Sequence, residues 1–409
     1  MDLAALAKGK CVMKNDCIVS IVIPVYNSEG SLGACLERLL HQTFDNIEII
    51  CVDDGSTDMS AEILKKYAAL DSRVKFFCQE NRGPGNARNH GLKEATGKYV
   101  IFLDSDDLFE LSMIEHMVRE LQDKNADMVV CRADSFDNTT GEILCSEWRM
   151  PIKMLNGELT FSPSEKADVL FQMFQGWPWD KMFKTDFVRC HGLEYPDLPN
   201  SQDLVFVFEA LVLAKKISVV DRVLVHRRMN RGSSVSNSRS AHIDSPYNSV
   251  MMFYEMMKDN NLWGLYQNSF CRWVLNFWLW HFSTLSGEPQ RNCFNLMKKE
   301  WLPKFNFDIL AKDNYDPKDY KMYKRIVGGT YRGYLMNQRI RSFLKKILPP
   351  PVNTFNREIG DVKRSVSELE GKIAELSETN AQIVMMLQKY EQNIECIKDE
   401  TIQSNKDKD

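Results

Sequence analysis

Residues 18 to 132 alternate between short apolar runs and helical stretches, and this alternation restricts the fold more than any other feature of the chain. The runs Ile18–Val25, Ile47–Val52 and Tyr99–Leu103 are almost continuously apolar, as expected of strands covered on both faces. Between them apolar residues recur at helical spacing, as in Asp58–Leu70. Strands that alternate with helices form a mostly parallel sheet between helical layers. The sequence therefore predicts an α/β fold whose ligand lies beyond the carboxyl ends of the strands.

The overall composition is that of a globular chain with more than one domain. At 409 residues the chain exceeds the usual length of one domain, and 44% of its residues are apolar, which is enough for a buried core. The formal net charge of −4 argues against a nucleic-acid partner. The eleven cysteines include no CxxC pair and no framework spacing, so we expect reduced side chains and a cytoplasmic protein.

Two features of the sequence bear on membranes. Residues 1–17 contain one short apolar run and no basic start, so we expect an N-terminal extension and not a secretion signal. No stretch reaches the roughly 18 uninterrupted apolar residues of a membrane span. Contact with the inner face of the cell membrane would therefore be peripheral.

Asp104, Ser105 and Asp106 directly follow the apolar run that ends at residue 103. Two carboxylates separated by one residue at such a strand end can both reach a hard cation, and Mn²⁺ or Mg²⁺ prefers oxygen ligands. The metal would neutralise charge that develops on a nucleoside diphosphate leaving group. The alternative is a cap for a helix that begins near Ser112.

Polar clusters also follow the earlier strands of the predicted sheet. Residues 24–27 end the first strand, residues 53–58 end the second, and residues 83–89 open a later helix. Because the carboxyl ends of parallel strands meet at one edge, we expect these clusters to point into a single crevice. The alternative role of the second cluster is helix capping, with Ser56 and Thr57 at the start of the second helix.

Four segments in this order resemble the family-two inverting glycosyltransferases with the GT-A fold. The segments are IPVYN at 23–27, VDDGSTD at 52–58, GPGNARNHG at 83–91 and FLDSDD at 102–107. A looser similarity continues through WDKMF at 179–183, SQDLVF at 201–206 and RGSSVS at 231–236. The resemblance implies a Rossmann-like open sheet, a metal-dependent enzyme and a UDP-sugar donor.

The same resemblance implies the roles of the residues around the nucleotide. Tyr26 would stack on the uracil ring beside Pro24. Asp54 would accept a hydrogen bond from the uracil N–H with Asp53 next to it, and Arg88 would close over the nucleotide. The nucleotide-sugar site as a whole would contain Pro24, Tyr26, Asn27, Asp53, Asp54, Arg88, Asp104, Ser105, Arg231, Ser234 and Ser236.

Residues around the diphosphate follow from the resemblance as well. Asp106 would be the direct metal ligand, and Asp104 would face the ribose or the metal. Arg231, Ser234 and Ser236 resemble a loop that orders over the donor diphosphate in some relatives, and charge-assisted hydrogen bonds give this a physical basis.

Inversion at the anomeric carbon requires a base within reach of the acceptor hydroxyl. Asp203 matches the position of this base, although Gln202 replaces the Glu of the common Glu-Asp pair. The alternative role for Asp203 is a helix N-cap. His226 is a candidate third metal ligand, but a lone His after an apolar strand is more often structural.

The second half of the chain predicts helices and an oligomerisation segment. Residues 247–300 are rich in Met and aromatic residues, which indicates helices packed into a core, with an acceptor groove or a membrane-facing surface as the less favoured alternatives. The segment 321–346 is basic and contains no acidic residue, so it favours either a solvated helical face or contact with an anionic membrane.

Apolar residues at heptad spacing in residues 359–403 predict a coiled coil that follows a Pro-containing hinge at 349–358. A polar Asn380 at one heptad position favours a parallel dimer, although a trimer is not excluded. The predicted parts are an extension at 1–17, a catalytic domain at 18–240, a helical region at 241–348, the hinge and the coiled coil.

Three functions are consistent with these features. The favoured one is an inverting transferase that moves a sugar from a UDP-sugar to a glycan or lipid-linked acceptor in bacterial surface polysaccharide or glycolipid synthesis. The second is a nucleotidyltransferase. Such an enzyme would usually carry a basic, Gly-rich loop after the first strand, whereas residues 27–30 are neither basic nor Gly-rich. The third is an inactive scaffold that acts through its coiled coil.

Overall fold

A computed structural model describes residues 18–137, 140, 143–144, 150–229, 239–308 and 315–336. The chain divides into two compact units, residues 1–331 and residues 332–409, and the first unit continues through the predicted boundary at residue 240. The predicted extension, diphosphate loop, hinge and coiled coil lie outside the described residues, as does the basic segment beyond residue 336. The division into domains stays a prediction.

A ten-stranded sheet forms the centre of the first unit. Its strands are β1 (Val19–Val25), β2 (Ile47–Asp53), β3 (Val74–Cys78), β4 (Tyr99–Phe102), β5 (Leu108–Phe109), β6 (Met128–Asp137), β7 (Ile143–Leu144), β8 (Thr160–Phe161), β9 (Lys181–Lys184) and β10 (Ile217–Met229). The main path runs in the order β3-β2-β1-β4-β9-β6-β10-β5, with β7 paired to β6 and β8 paired to β10. Strands β3, β2, β1 and β4 are parallel, whereas β9 is antiparallel to both of its neighbours.

Helices cover the sheet and continue beyond it. They are α1 (Leu32–Leu40), α2 (Ser60–Leu70), α3 (Pro84–Glu94), α4 (Met113–Lys124), α5 (Leu170–Met173), α6 (Thr185–Cys190), α7 (Gln202–Leu213), α8 (Ser245–Asp259), α9 (Trp263–Thr284), α10 (Gly287–Leu296) and α11 (Pro317–Gly328). Every residue of β2 is buried, which explains why its sequence is apolar apart from Glu48 and the terminal Asp53. The predicted α/β architecture is confirmed.

Strand β6 extends to Asp137, beyond residue 132 where the predicted alternation ends, because its second half pairs with the long strand β10 and with β7. The start of the second helix was predicted wrongly. Helix α2 begins at Ser60, and the Asp58 carboxylate accepts a hydrogen bond from the Ser60 backbone N–H at 3.0 Å. Ser56 and Thr57 therefore do not cap this helix.

The strand order places the site at one position in the sheet. Strand β1 lies between β2 and β4, so the chain leaves β1 toward one side and returns to its other side. Ligands in open α/β sheets bind at the carboxyl ends of such adjacent strands. The pairing of β1 with β4 therefore brings together the residues that follow the two strands.

The helices after β10 confirm the prediction of an aromatic core. Phe253 of α8 and Phe270 of α9 are fully buried with ring centroids 5.1 Å apart. Trp278 of α9 is also fully buried, whereas Trp280 is 44% exposed. None of the described helices combines the length and the apolar character that crossing a bilayer requires.

Helix α3 packs on β1 through a glycine. A Cβ atom at Gly91 would clash with Cγ1 of Val22, whose side chain is fully buried in the sheet. The absence of a side chain therefore lets the helix lie close to the strand, and it fixes the distance between Arg88 on the helix and the ends of the strands.

We expect Gly91→Ala to lower the free energy of unfolding by about 1–3 kcal/mol, because overpacking forces a shift of either Val22 or the helix. Urea denaturation would measure this change. Gly30→Ala is the matched control, since a Cβ there meets no atom within 4 Å and the change should be within about 1 kcal/mol of zero. Equal stability of the two variants would contradict the close packing of α3 on β1.

Candidate active site

The loops that follow β1 and β2 are joined by reciprocal hydrogen bonds. Asn27 donates from its backbone N–H to Ser56 Oγ at 3.0 Å, and its side-chain oxygen accepts from the Thr57 N–H at 2.8 Å. Glu29 donates from its backbone to Asp58, and its carboxylate accepts from the Met59 N–H, both at 3.0 Å. The two loops therefore form one rigid edge of the crevice.

Tyr26 and the two aspartates of the second loop lie at this edge. The Tyr26 ring is 50% exposed, so a flat ligand can stack on it. Asp53 is buried, and its carboxylate accepts a hydrogen bond from the Ser56 N–H at 3.2 Å. Pro24 lies in β1 directly before them and is partly exposed.

Asp54 holds the loop that leads into α3. Its carboxylate accepts from Gln79 Nε2 at 2.8 Å and from the backbone N–H groups of Arg82 at 2.9 Å and Gly83 at 2.8 Å. Gly83 has φ of 88°, a left-handed conformation that a residue with a side chain adopts only with strain. Asp54 therefore has a structural role even without a ligand, and neither Asp53 nor Asp54 caps α2, whereas Asp58 of the same cluster accepts from the first N–H of that helix.

Three carboxylates after β4 form the candidate metal site. Asp104, Asp106 and Asp107 each offer an oxygen, and these atoms lie within 4.8 Å of one another. Asp106 and Asp107 are buried, and neither belongs to a helix cap, because α4 begins later, after Ser112. Ser105 is buried too, and its hydroxyl lies 2.8 Å from Ser28 Oγ in the loop after β1.

Asp107 was not among the residues expected in the metal site. Burial raises its pKa well above the usual value, and the Asp106 and Asp104 carboxylates raise it further. One oxygen accepts from the Arg228 backbone N–H at 2.9 Å, and the other is buried without a hydrogen-bond partner among the described residues. This third carboxylate fits a cation, which would supply the missing partner and relieve the repulsion.

Arg88 joins the metal site to the candidate base. Its guanidinium donates to Asp104 Oδ1 and to Asp203 Oδ1, each at 2.7 Å, and the residue is only 3% exposed. Although burial alone would lower the pKa of Arg88, the charges of Asp203 and Asp104 raise it above its usual range. Arg88 is thus buried between two carboxylates.

Asp203 lies in the first turn of α7 and does not cap the helix. The N-cap position is Ser201, whose φ of 63° is left-handed, and the Asp203 carboxylate is held by Arg88. Burial raises the pKa of Asp203 to about 6, Arg88 opposes this rise and Asp104 adds to it. A carboxylate with this pKa can accept a proton near neutral pH.

Gln202 packs against the helix that carries Arg88. It is buried against Gly85 of α3, and among the described residues its side-chain oxygen has no hydrogen-bond partner. The segment before it is tied to α3 by a pair of hydrogen bonds between Asn89 and the backbone of Tyr195. These contacts fix the position at which α7 begins.

His226 is engaged elsewhere. Its Nδ1 lies 2.6 Å from Asp134 Oδ1 and its Nε2 lies 2.8 Å from Glu110 Oε1, so both ring nitrogens already have carboxylate partners. The group of candidate ligands in the described part of the chain does not include it. The structural role for His226 is therefore the one that the geometry favours, and Arg231, Ser234 and Ser236 lie outside the described residues.

The raised pKa of Asp203 predicts a pH-dependent stability. A carboxyl group stabilises the fold when its pKa is higher in the folded state than in the unfolded state. This contribution is complete below the unfolded pKa near 4, and it is lost as pH rises through about 6. The unfolding free energy of the unmodified protein minus that of Asp203→Asn should fall by roughly 2 kcal/mol from pH 4 to pH 7. Urea denaturation across this range would measure it, and a constant difference would contradict the assignment.

Comparisons with known proteins agree with this geometry. The family model for Glycosyl transferase family 2 matches residues 20–173. Putative glycosyltransferase EpsH of Bacillus subtilis (strain 168) is 34% identical over 234 residues, which are 56% of this chain and 65% of that protein. Glycosyltransferase GlyG of Streptococcus pneumoniae is 42% identical over 125 residues, which are 30% of this chain and 42% of that protein. The chain therefore spans less than two thirds of the length of either relative.

A solved structure shows the same fold. The crystal structure of S. aureus TarS 1-349 superposes with a TM-score of 0.50 at 21% identity, and the match covers 69% of this chain and 79% of that one. Residues 20–173 of this chain thus match the glycosyl transferase family 2 model, and the predicted GT-A fold is confirmed.

Proposed function

We propose that the protein is an inverting, metal-dependent glycosyltransferase that moves a sugar from a UDP-sugar to an acceptor hydroxyl. The observation that carries the proposal is the buried Arg88, which holds the Asp203 carboxylate and the Asp104 carboxylate on opposite ends of one guanidinium. The candidate base and one carboxylate of the candidate metal site would thereby be held by the same side chain. The match to the family model supports the reaction class.

The donor would occupy the crevice from the β1–β2 side. The exposed ring of Tyr26 would stack on uracil, with Pro24 and Asn27 at the same edge. Asp54 would accept from the uracil N–H through the lone pairs that its three existing hydrogen bonds leave. Asp53 would support this loop through its bond to Ser56.

Mn²⁺ or Mg²⁺ would be held by Asp106 and Asp107, with Asp104 as a further ligand or a ribose contact. The ion would supply charge neutralisation for the UDP leaving group. The unpaired, buried oxygen of Asp107 supports a cation at this position.

The acceptor hydroxyl would lose its proton to Asp203 as its oxygen bonds to the anomeric carbon. The bond from that carbon to the UDP oxygen breaks on the opposite face, so the configuration is inverted and UDP leaves with the bonding electron pair. Arg88 would keep the base oriented and would stabilise its ionised form beforehand. Because Arg88 is buried, it would keep water away from the carboxylate oxygens that it contacts.

With Mn²⁺ or Mg²⁺, we expect the purified protein to hydrolyse one UDP-sugar of a panel slowly, as measured by UDP release. Asp106→Ala should lower this rate at least about a hundredfold, because a bound metal supplies several kcal/mol of charge stabilisation. Asp123→Ala, an exposed carboxylate on α4, is the control and should leave the rate unchanged. Absence of both hydrolysis and calorimetric binding across the panel would exclude the proposed function.

The C-terminal segments would determine where the enzyme acts. We propose that residues 359–403 form a homo-oligomer, with a dimer favoured, and that the basic segment 321–346 contacts an anionic membrane. The acceptor would be a glycan or a lipid-linked glycan of the bacterial surface. An inactive scaffold is a weaker candidate, because the carboxylates Asp104, Asp106 and Asp203 are all in place.

A chain that ends at Leu348 tests the oligomer. We expect light scattering to show that this shortened chain is a monomer and that the full chain is an oligomer. The shortened chain lacks the heptad positions, which are the only extensive apolar stripe predicted beyond the hinge. UDP release with a soluble acceptor should be largely retained. An unchanged molecular mass would contradict the coiled coil.

A further inference from the structure

One aromatic ring lies beside the guanidinium of Arg88. The guanidinium carbon is 5.4 Å from the centre of the Tyr195 ring, and Tyr195 is only 3% exposed. A cation is attracted to the negative charge of an aromatic face, and the attraction is stronger where water is excluded. The Nε atom of Arg88 is buried and has no hydrogen-bond partner among the described residues. The ring therefore adds to the two carboxylates in orienting this guanidinium.

Tyr195 also packs on α7, the helix that carries Asp203. Its ring is stacked on the ring of Phe206, with centroids 4.3 Å apart and planes inclined by 5°. Phe102 of β4 meets both rings edge-on, with its centroid 5.3 Å from that of Tyr195 and 5.2 Å from that of Phe206. Phe206 follows Asp203 within one helical turn. The Tyr195 ring is therefore fixed relative to the backbone of the candidate base.

The same tyrosine is bound to α3, the helix that carries Arg88. Asn89 donates from its side chain to the Tyr195 carbonyl at 2.8 Å and accepts from the Tyr195 N–H at 2.9 Å. Gly85 permits a close approach, because a Cβ atom there would lie 3.2 Å from the Cβ of Tyr195. Tyr195 thus joins the helix of the cation to the helix of the carboxylate.

The ring of Tyr195 makes these side-chain contacts, and its hydroxyl does not. The hydroxyl is buried and has no hydrogen-bond partner in the part of the chain that the structure describes. Burial raises its pKa well above the usual value, so the hydroxyl stays protonated and cannot itself be the base. A phenylalanine at this position would keep the contacts of the ring.

We propose that Tyr195 is a positioning residue whose ring holds the Arg88 guanidinium against the Asp203 carboxylate and thereby keeps the candidate base ionised. This inference rests on the proposed function for the role of Asp203, and it adds a residue that acts through Arg88. Burial raises the pKa of Asp203, Arg88 opposes this rise, and Asp104 adds to it. A guanidinium without the support of the ring would offset the burial of Asp203 less completely.

The pH dependence of UDP release by the full-length protein with Mn²⁺ tests this role, with the UDP-sugar that the unmodified protein hydrolyses. The rate should fall as pH drops below the pKa of Asp203, which is about 6. Tyr195→Leu should move this fall to higher pH by about one unit, because a cation that is held less firmly lowers a carboxyl pKa less. Tyr195→Phe keeps the ring and should retain the profile of the unmodified protein.

Tyr266→Leu is the matched control, because Tyr266 on α9 is 2% exposed and its ring packs on Phe171. It loses a buried ring of the same kind and should leave the profile unshifted. Phe206→Leu removes the ring stacked on Tyr195 and should give a smaller shift in the same direction. An unshifted profile in Tyr195→Leu, or in Phe206→Leu where Tyr195→Leu does not fold, would overturn the proposal. An equal shift in Tyr266→Leu or in Tyr195→Phe would overturn it as well.

Urea denaturation measures the same coupling without catalysis. The stabilisation by Asp203, obtained by comparison with Asp203→Asn in each background, is lost as pH rises through the folded pKa of the carboxyl. In the Tyr195→Leu background this loss should occur about one pH unit higher than in the unmodified protein. Loss at the same pH in both backgrounds would contradict the role of Tyr195. If no UDP-sugar is hydrolysed, the proposed function fails, whereas this measurement still decides whether Tyr195 acts on Asp203.

Discussion

The double ion pair of Arg88 is the interaction on which the rest of the site depends. A guanidinium that is 3% exposed is acceptable only because two carboxylates offset its loss of hydration. Those carboxylates come from positions 104 and 203, so this one side chain fixes the end of β4 relative to the start of α7. Removing it would leave two partly buried negative charges facing each other, which would disturb the base and the metal site together.

The sequence predicted the first half of the sheet well because its strands are covered on both faces. Burial on both faces requires continuous apolar runs, and these are visible at β1, β2 and β4 without knowledge of the fold. The end of β6 was missed because residues 132–137 are mostly polar and form a strand by pairing with β7 and β10. The pairing with β10 joins segments about ninety residues apart, which local periodicity does not report.

Contacts between residues that are distant in sequence also explain what was missed in the candidate site. Asp104 and Asp106 stand out by their spacing, whereas the importance of Asp107 comes from its burial and its unpaired oxygen. His226 was a reasonable ligand candidate until the structure placed Asp134 and Glu110 at its two nitrogens. Arg88 was expected to close over the nucleotide, which stays a prediction, whereas its pairing with a residue 115 positions away could not be read from the chain.

The reciprocal hydrogen bonds between the loops after β1 and β2 have a consequence for evolution and engineering. Asn27 and Glu29 each both donate to and accept from the facing loop, so neither loop can change its path alone. Substitutions in the two loops should therefore be strongly non-additive in their effect on stability. A change in the path of either loop would require coordinated replacement of both.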